Sequence, residues 1–277
     1  MFMGTPISNE GGIQPLKLVR SICETPENVR FNVERTLSAP YVRFNEFLGT
    51  QVGPVSIVGS GPSLARHYQE LTGDVVACNG AHDYLIERGI VPRFCMIFDA
   101  SPVMKDFITP HKDVIYLIAS RCHEALFKHL EGCKIVVWHC KGDDCIDELL
   151  EERKIYEPMI HGGSAAVMRA VFLVIGMGFK DLHLFGADSS FEDDQHHIGK
   201  TLVPENMIEV WNGRWFKSTG WMAGQVEDFR DTALILRDKS GIDFTIHGSG
   251  LFSSMARALG FTVIGDGVTQ ILEEQNG

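Results

Sequence analysis

Short apolar runs recur between residues 55 and 247: VSIV (55–58), VVAC (75–78), FCMIF (94–98), VIYLIA (114–119), KIVVWH (134–139), LHLFG (182–186) and DFTIH (243–247). Each is rich in β-branched or aromatic residues and apolar on both faces, as strands of a parallel sheet covered on both sides must be. The segments between them, 81–89, 121–131, 162–177 and 225–239, carry helical spacing. Alternation of this kind predicts an α/β fold: a doubly wound, mostly parallel Rossmann-like sheet. Ligands of such sheets sit beyond the carboxyl ends of the strands, so the residues just after each run are the ones to inspect.

The first strand runs into Gly59-Ser60-Gly61-Pro62-Ser63. Glycines allow close backbone approach, Pro62 suits a helix start, and the loop amides with the helix N-terminus favour an anion such as phosphate. The second strand ends in Asn79-Gly80, where Asn79 either bonds a base, sugar or phosphate or caps the next helix. The third ends in Asp99, a holder of ribose or Mg²⁺ or again a helix cap. Gly162-Gly163-Ser164 opens a long apolar helix, a second anion-friendly start; Arg169 inside it is read as pairing with an acid. Asp188 follows the sixth strand and His196-His197 lie close behind. A carboxylate and an imidazole on one loop can act as a base and its orienting partner, and paired histidines can also bind metal.

Two stretches break the rhythm. Residues 1–50 contain Gly11-Gly12, Pro15, Pro26 and Pro40 and are read as an extension outside the catalytic core, with a short helix over 25–37 capped by Thr25. Residues 51–277 form the main domain. Within it, residues 189–224 lack sustained periodicity yet hold three of the four tryptophans, the pattern of an active-site lid.

Composition narrows the partners. A net charge of −11 argues against non-specific nucleic-acid binding, and no apolar run reaches membrane-spanning length. The seven cysteines include no Cys-x-x-Cys pair. Cys133, Cys140 and Cys145 with His139 fit no common zinc spacing, so the thiols are read as buried, reduced and cytoplasmic. Nothing in the composition excludes a homo-oligomer.

The motifs VGSGPSL, CNGA, FDASP and GGSAAVMRAVFLVIGMGFKDLHLFGADSSF resemble the MptE-like proteins, named for 6-hydroxymethylpterin diphosphokinase and including bacterial flagellin-modification proteins. The same layout is similar to bacterial sialyltransferases with Asn-Gly-Pro-Ser-Leu and Cys-Asn motifs and a His-Tyr-Ile-Gly lid motif that supplies the general base. HHIG (196–199) matches the last of these, which implies His196 in that role. The resemblance covers roughly residues 53–258. Ser60 stands where the sialyltransferase loop has Asn, Ser190 where those enzymes have Tyr, and the Asp-x-Asp-Gly and His-x-His-Gly-Asp runs of the archaeal diphosphokinases are missing.

Three readings follow. The first is a glycosyltransferase that takes a nucleotide-sugar donor and a small-molecule or glycan acceptor and requires no cofactor. Gly59, Ser60, Gly61, Pro62, Ser63, Asn79, Gly80, Asp99, Gly163 and Ser164 would bind the donor, and His196, steered by Asp188, would deprotonate the acceptor. The second is a diphosphokinase using ATP and Mg²⁺, with Asp99 and Asp188 as metal ligands. The third is a non-catalytic nucleotide- or sugar-binding module.

Overall fold

The computed structural model describes residues 3–6, 14–15, 24–142, 144–163, 165–198 and 206–265. Two short strands, β1 (Met3–Pro6) and β2 (Gln14–Pro15), precede helix α1 (Pro26–Ser38). The Thr25 hydroxyl accepts the Asn28 amide at 3.3 Å and Pro26 opens the helix, the start that residues 25–37 predict. Val29 and Val33 of α1 are buried in the main core, and β3 (Val42–Arg43) adds to the main sheet. Part of the N-terminal segment read as lying outside the core is therefore built into it.

The sheet itself comprises β4 (Pro54–Val58), β5 (Asp74–Cys78), β6 (Phe94–Ile97), β7 (Ile115–Ala119) and β8 (Lys134–Cys140). It continues with β9 (Met159–Ile160), β10 (Asp181–Phe185), β13 (Asp243–His247) and β14 (Thr262–Ile264), and all these strands pair in parallel. The order is β14-β13-β10-β4-β5-β6-β7-β8-β3, with β9 beside β8. Every residue of β6 is buried, which is why its run is apolar on both faces. Trp138 of β8 is fully buried and its indole donates to Leu117 O at 3.1 Å. The bond satisfies the one polar group of a ring whose burial contributes roughly 1.5–3 kcal/mol.

Helices cover both faces: α2 (Leu64–His67), α3 (Ala81–Ile86), α4 (Glu124–His129), α5 (Asp144–Glu152), α6 (Ala166–Met177), α7 (Gly220–Ser240) and α8 (Leu251–Ala258). Helix α6 packs across β4, β5 and β6. It ends at Gly178, whose φ of +111° and whose amide bonds to Val174 O and Ile175 O make a left-handed cap. None of the described helices is long and apolar enough to cross a membrane.

Residues 206–219 form the antiparallel hairpin β11 (Met207–Trp211) and β12 (Trp215–Thr219), turning at Gly213 with φ +77°. Strand β1 pairs with β11, so the second sheet runs β12-β11-β1-β2. The last residues of the predicted lid, 220–224, are the first turn of α7, capped by Thr219; residues 199–205 of that stretch lie outside the described residues.

Candidate functional site

The chain leaves β4 toward β5 and β8, then returns to β10 and β13 on the other side of β4. The strand order reverses between β4 and β10, and a crevice opens beyond their carboxyl ends. There the loops 59–63 and 186–190 lie against each other. Gly59 N donates to Phe185 O and Gly61 N to Gly186 O, both at 2.8 Å. A Cβ on Gly59 would sit 2.6 Å from Gly186 O, one on Gly186 (φ +58°) would strike Gly59 O, and one on Gly61 would strike the Asp188 carboxylate. The glycines serve loop-to-loop contact. The Ser63 amide is taken as well, by Asp188 Oδ2 at 2.8 Å, and Pro62 has no N–H. With the Gly59, Gly61 and Ser63 amides donating within the protein, the expected phosphate cradle of loop amides is not formed.

Asp188 is 5% exposed. Burial pushes its carboxyl above the ordinary carboxylate range, against the Ser63 contact that lowers it. Asp188 Oδ1, Ser63 Oγ and Ser253 Oγ all lie within 3.2 Å of where a Cβ on Gly248 would stand. His196 Nδ1 has no hydrogen-bond partner. The expected Asp188–His196 pairing is therefore absent: the carboxylate is held by the preceding loop's amide instead.

The two adjacent histidines are placed differently from each other. His197 Nδ1 lies 2.9 Å from Ser60 Oγ, and Ile198 N donates to Ser60 O at 2.7 Å. Burial, then the neighbouring His196, pushes the His197 imidazole down to about 4. His196 is lowered by burial alone and sits among rings, 5.0 Å from Phe191 and 6.3 Å from Trp221. Both imidazoles are neutral at pH 7.

Asn79 adopts a left-handed φ of +49°, uncommon outside glycine. Its side chain does not cap α3, and its Oδ1 is buried without a partner. It follows β5, the neighbour of the β4 strand that Ser60 follows. Gly80 is right-handed, with open space where a Cβ would be. Asp99 turns back to accept the Ser101 amide at 2.8 Å. It follows β6, whereas Asp188 follows β10, with β4 and β5 between. At about 4.8 Å per strand the strands that carry them are roughly 14 Å apart, too far for the two short side chains to share one Mg²⁺ with ligands at about 2.1 Å. The residues proposed for Mg²⁺ do not fit it as a pair.

Gly163 (φ +38°) is pressed against Asp228, where a Cβ would clash. Arg169 donates to Gly163 O, Lys141 O and Ile160 O at 3.0, 2.9 and 2.6 Å and so fixes the loop before α6. Ser164 lies outside the described residues. On the other flank a cleft of about 450 Å³ is lined by Asp188, Phe191, Arg214, Trp215, Lys217 and Gly250, among others.

The family described as 6-hydroxymethylpterin diphosphokinase MptE-like matches residues 27–194, more than half of the chain. The chain belongs to the MptE-like family. No curated protein matches it in sequence. Among solved structures, this MptE-like chain is similar to the MAf glycosyltransferase from Magnetospirillum magneticum AMB-1, with a TM-score of 0.57 and 15% identity. The match covers 89% of this chain but 38% of that one, so the chain spans well under half of that protein's length. A mammalian sialyltransferase matches with a TM-score of 0.38 at 12% identity, over 79% of this chain and 84% of that one. At 15% identity the likeness to the MAf protein is one of fold.

Several features of the MptE-like site escaped the sequence. Arg214 and Lys217 enter the cleft from a hairpin whose strands were not expected. The Ser60–His197 contact depends on a lid fold that spacing does not encode. His67, Glu70 and His247 meet although 177 residues separate Glu70 from His247. The six described cysteines form no disulfide, and His139 bonds Ser120 Oγ at 2.8 Å.

Proposed function

We propose that this MptE-like protein is a nucleotide-dependent group transferase that moves a sugar from a nucleotide-sugar donor to an acceptor hydroxyl. The observation that carries the reading is Asn79: its backbone is held left-handed and its buried Oδ1 is left without a partner at the end of β5. A buried amide oxygen of this kind calls for a donor, which a ribose hydroxyl or a base amino group supplies. Family membership and the fold shared with a glycosyltransferase agree with group transfer.

In this reading His196, neutral and unpartnered at Nδ1, takes the proton of the acceptor hydroxyl. The acceptor oxygen bonds to the anomeric carbon, and the bond from that carbon to the donor phosphate breaks, with the electron pair leaving on the nucleotide. His197, tied to Ser60, holds the lid segment against the strand-end loop.

Calorimetric titration with CMP, UDP, ATP and their sugar conjugates tests the reading. Binding of a nucleotide sugar, with metal-independent release of its nucleotide, is expected. Asn79→Ala should weaken that binding by about tenfold to a hundredfold, the roughly 1–3 kcal/mol of a lost buried hydrogen bond. AMP release from ATP with Mg²⁺ would replace this reading with diphosphoryl transfer, as the family's description suggests. Binding without turnover would leave a nucleotide-binding module.

A further inference from the structure

Beneath α2, a group of titratable side chains with no part in the proposed transfer comes together. His67 ends α2 and is 6% exposed; His247 ends β13 and is 5% exposed. Glu70, 42% exposed, lies between them, with Oε1 3.0 Å from His67 Nδ1 and Oε2 2.9 Å from His247 Nδ1. The three ligand atoms lie within 4.8 Å of one another. Behind them, His247 Nε2 is 3.2 Å from His183 Nδ1, and His183 Nε2 is 3.3 Å from Asp181 Oδ1.

With a cation among the three ligand atoms, both Nδ1 atoms give lone pairs to it, His247 Nε2–H donates to His183 Nδ1, and His183 Nε2–H donates to Asp181. A ligating histidine that passes its other N–H outward toward a carboxylate is the usual outer shell of a metal site.

We propose that His67, Glu70 and His247 bind one divalent cation of the zinc type, with His183 and Asp181 orienting His247. Two imidazole nitrogens and one carboxylate suit Zn²⁺ with ligands at about 2.0–2.2 Å, and suit Mg²⁺ poorly. The exposed side of Glu70 leaves room for water as a fourth ligand. The ion would cross-link α2 to β13 behind the crevice. The loop 59–63 leads straight into α2, and Gly248, next to His247, abuts Ser63 and Asp188. The role is structural: it fixes the loop that carries Ser60 and Ser63, whatever group the enzyme transfers.

The full chain, stripped with EDTA and dialysed, should bind one equivalent of Zn²⁺ at micromolar concentration or tighter in calorimetry and gain thermal stability. Co²⁺ should give the visible absorption of a four-coordinate site. Glu70→Gln keeps the size of an exposed side chain and should lower Zn²⁺ affinity by at least about tenfold in a protein whose circular dichroism is unchanged. His247→Asn should do the same if folded, as judged by circular dichroism. Absence of Zn²⁺ binding up to about 100 μM, or affinity unchanged in Glu70→Gln, overturns the proposal; the latter would send the ion to other side chains such as His196 and His197.

Discussion

Two adjacent imidazoles at the crevice face different surroundings, and that difference can be measured. His197 is bound to Ser60 whereas His196 keeps a free nitrogen among rings. If His196 is the general base, His196→Ala should reduce turnover by about 10²–10⁴-fold with donor affinity nearly unchanged. His197→Ala should act mainly on donor affinity, by releasing Ser60; equal losses of turnover in both variants would remove the distinction. His197 also affects stability. Its folded value near 4 lies below the ordinary 6.5 of an unfolded chain, so between those values the unfolded state binds more protons. Stability is therefore complete above about pH 6.5 and falls on acidification toward pH 4, by at most about 1.4 kcal/mol per pH unit for this group. His82, His196 and His247 are shifted the same way. The depressed Glu70 and Glu157 add a loss of the same sign at lower pH, as they protonate. Urea midpoints at pH 7, 6 and 5 should decline, and His197→Gln should flatten the decline; an unchanged slope would mean that the ring is not buried in its neutral form.

Among the elements, the loops 59–63 and 186–190 depend on each other's lack of side chains. Gly186→Ala adds a left-handed non-glycine residue and a clash with Gly59 O, an expected cost of roughly 1–3 kcal/mol. Gly80→Ala, right-handed with open space around it, should change stability by no more than about 0.5 kcal/mol. Chemical denaturation of both variants checks the contrast, and a similar cost at the two positions would refute it. The long parallel strands were legible because burial on both faces leaves an unbroken apolar run; 94–97 is the clearest case. The hairpin was not legible, because β12 inverts the usual code: Trp215 and Lys217 face out while Ser218 and Thr219 are buried. Strands β3, β9 and β14 are too short to leave a period. Helix α5 did carry a readable stripe, Ile146, Leu149 and Leu150, all buried, which the irregular residues around it hid. At the site, the residue types at strand ends were visible in the sequence. Their partners were not, since the left-handed turn at Asn79 and the Asp188–Ser63 bond arise from loops packing together.

Across the whole molecule, the chain's first strand joins the hairpin sheet rather than the main one. Removing residues 1–23 should leave the parallel sheet folded, with little change in melting temperature, but expose the edge of β11. Hydrogen exchange across 207–211 should then rise and turnover should fall; unchanged exchange would mean that β1 contributes nothing to the hairpin. The reversal of strand order has a further consequence, for the order in which the protein is made. Strands β4 to β8 lie side by side in the order of synthesis, so each can dock as soon as it emerges. Strand β4 receives its second neighbour, β10, only when residue 181 arrives. Until then a strand with four of its five residues fully buried in the finished protein presents an open edge, the kind of surface that recruits other chains. Nascent or truncated chains that stop short of β10 are thus expected to aggregate, and the crevice that would bind substrate is absent from every one of them.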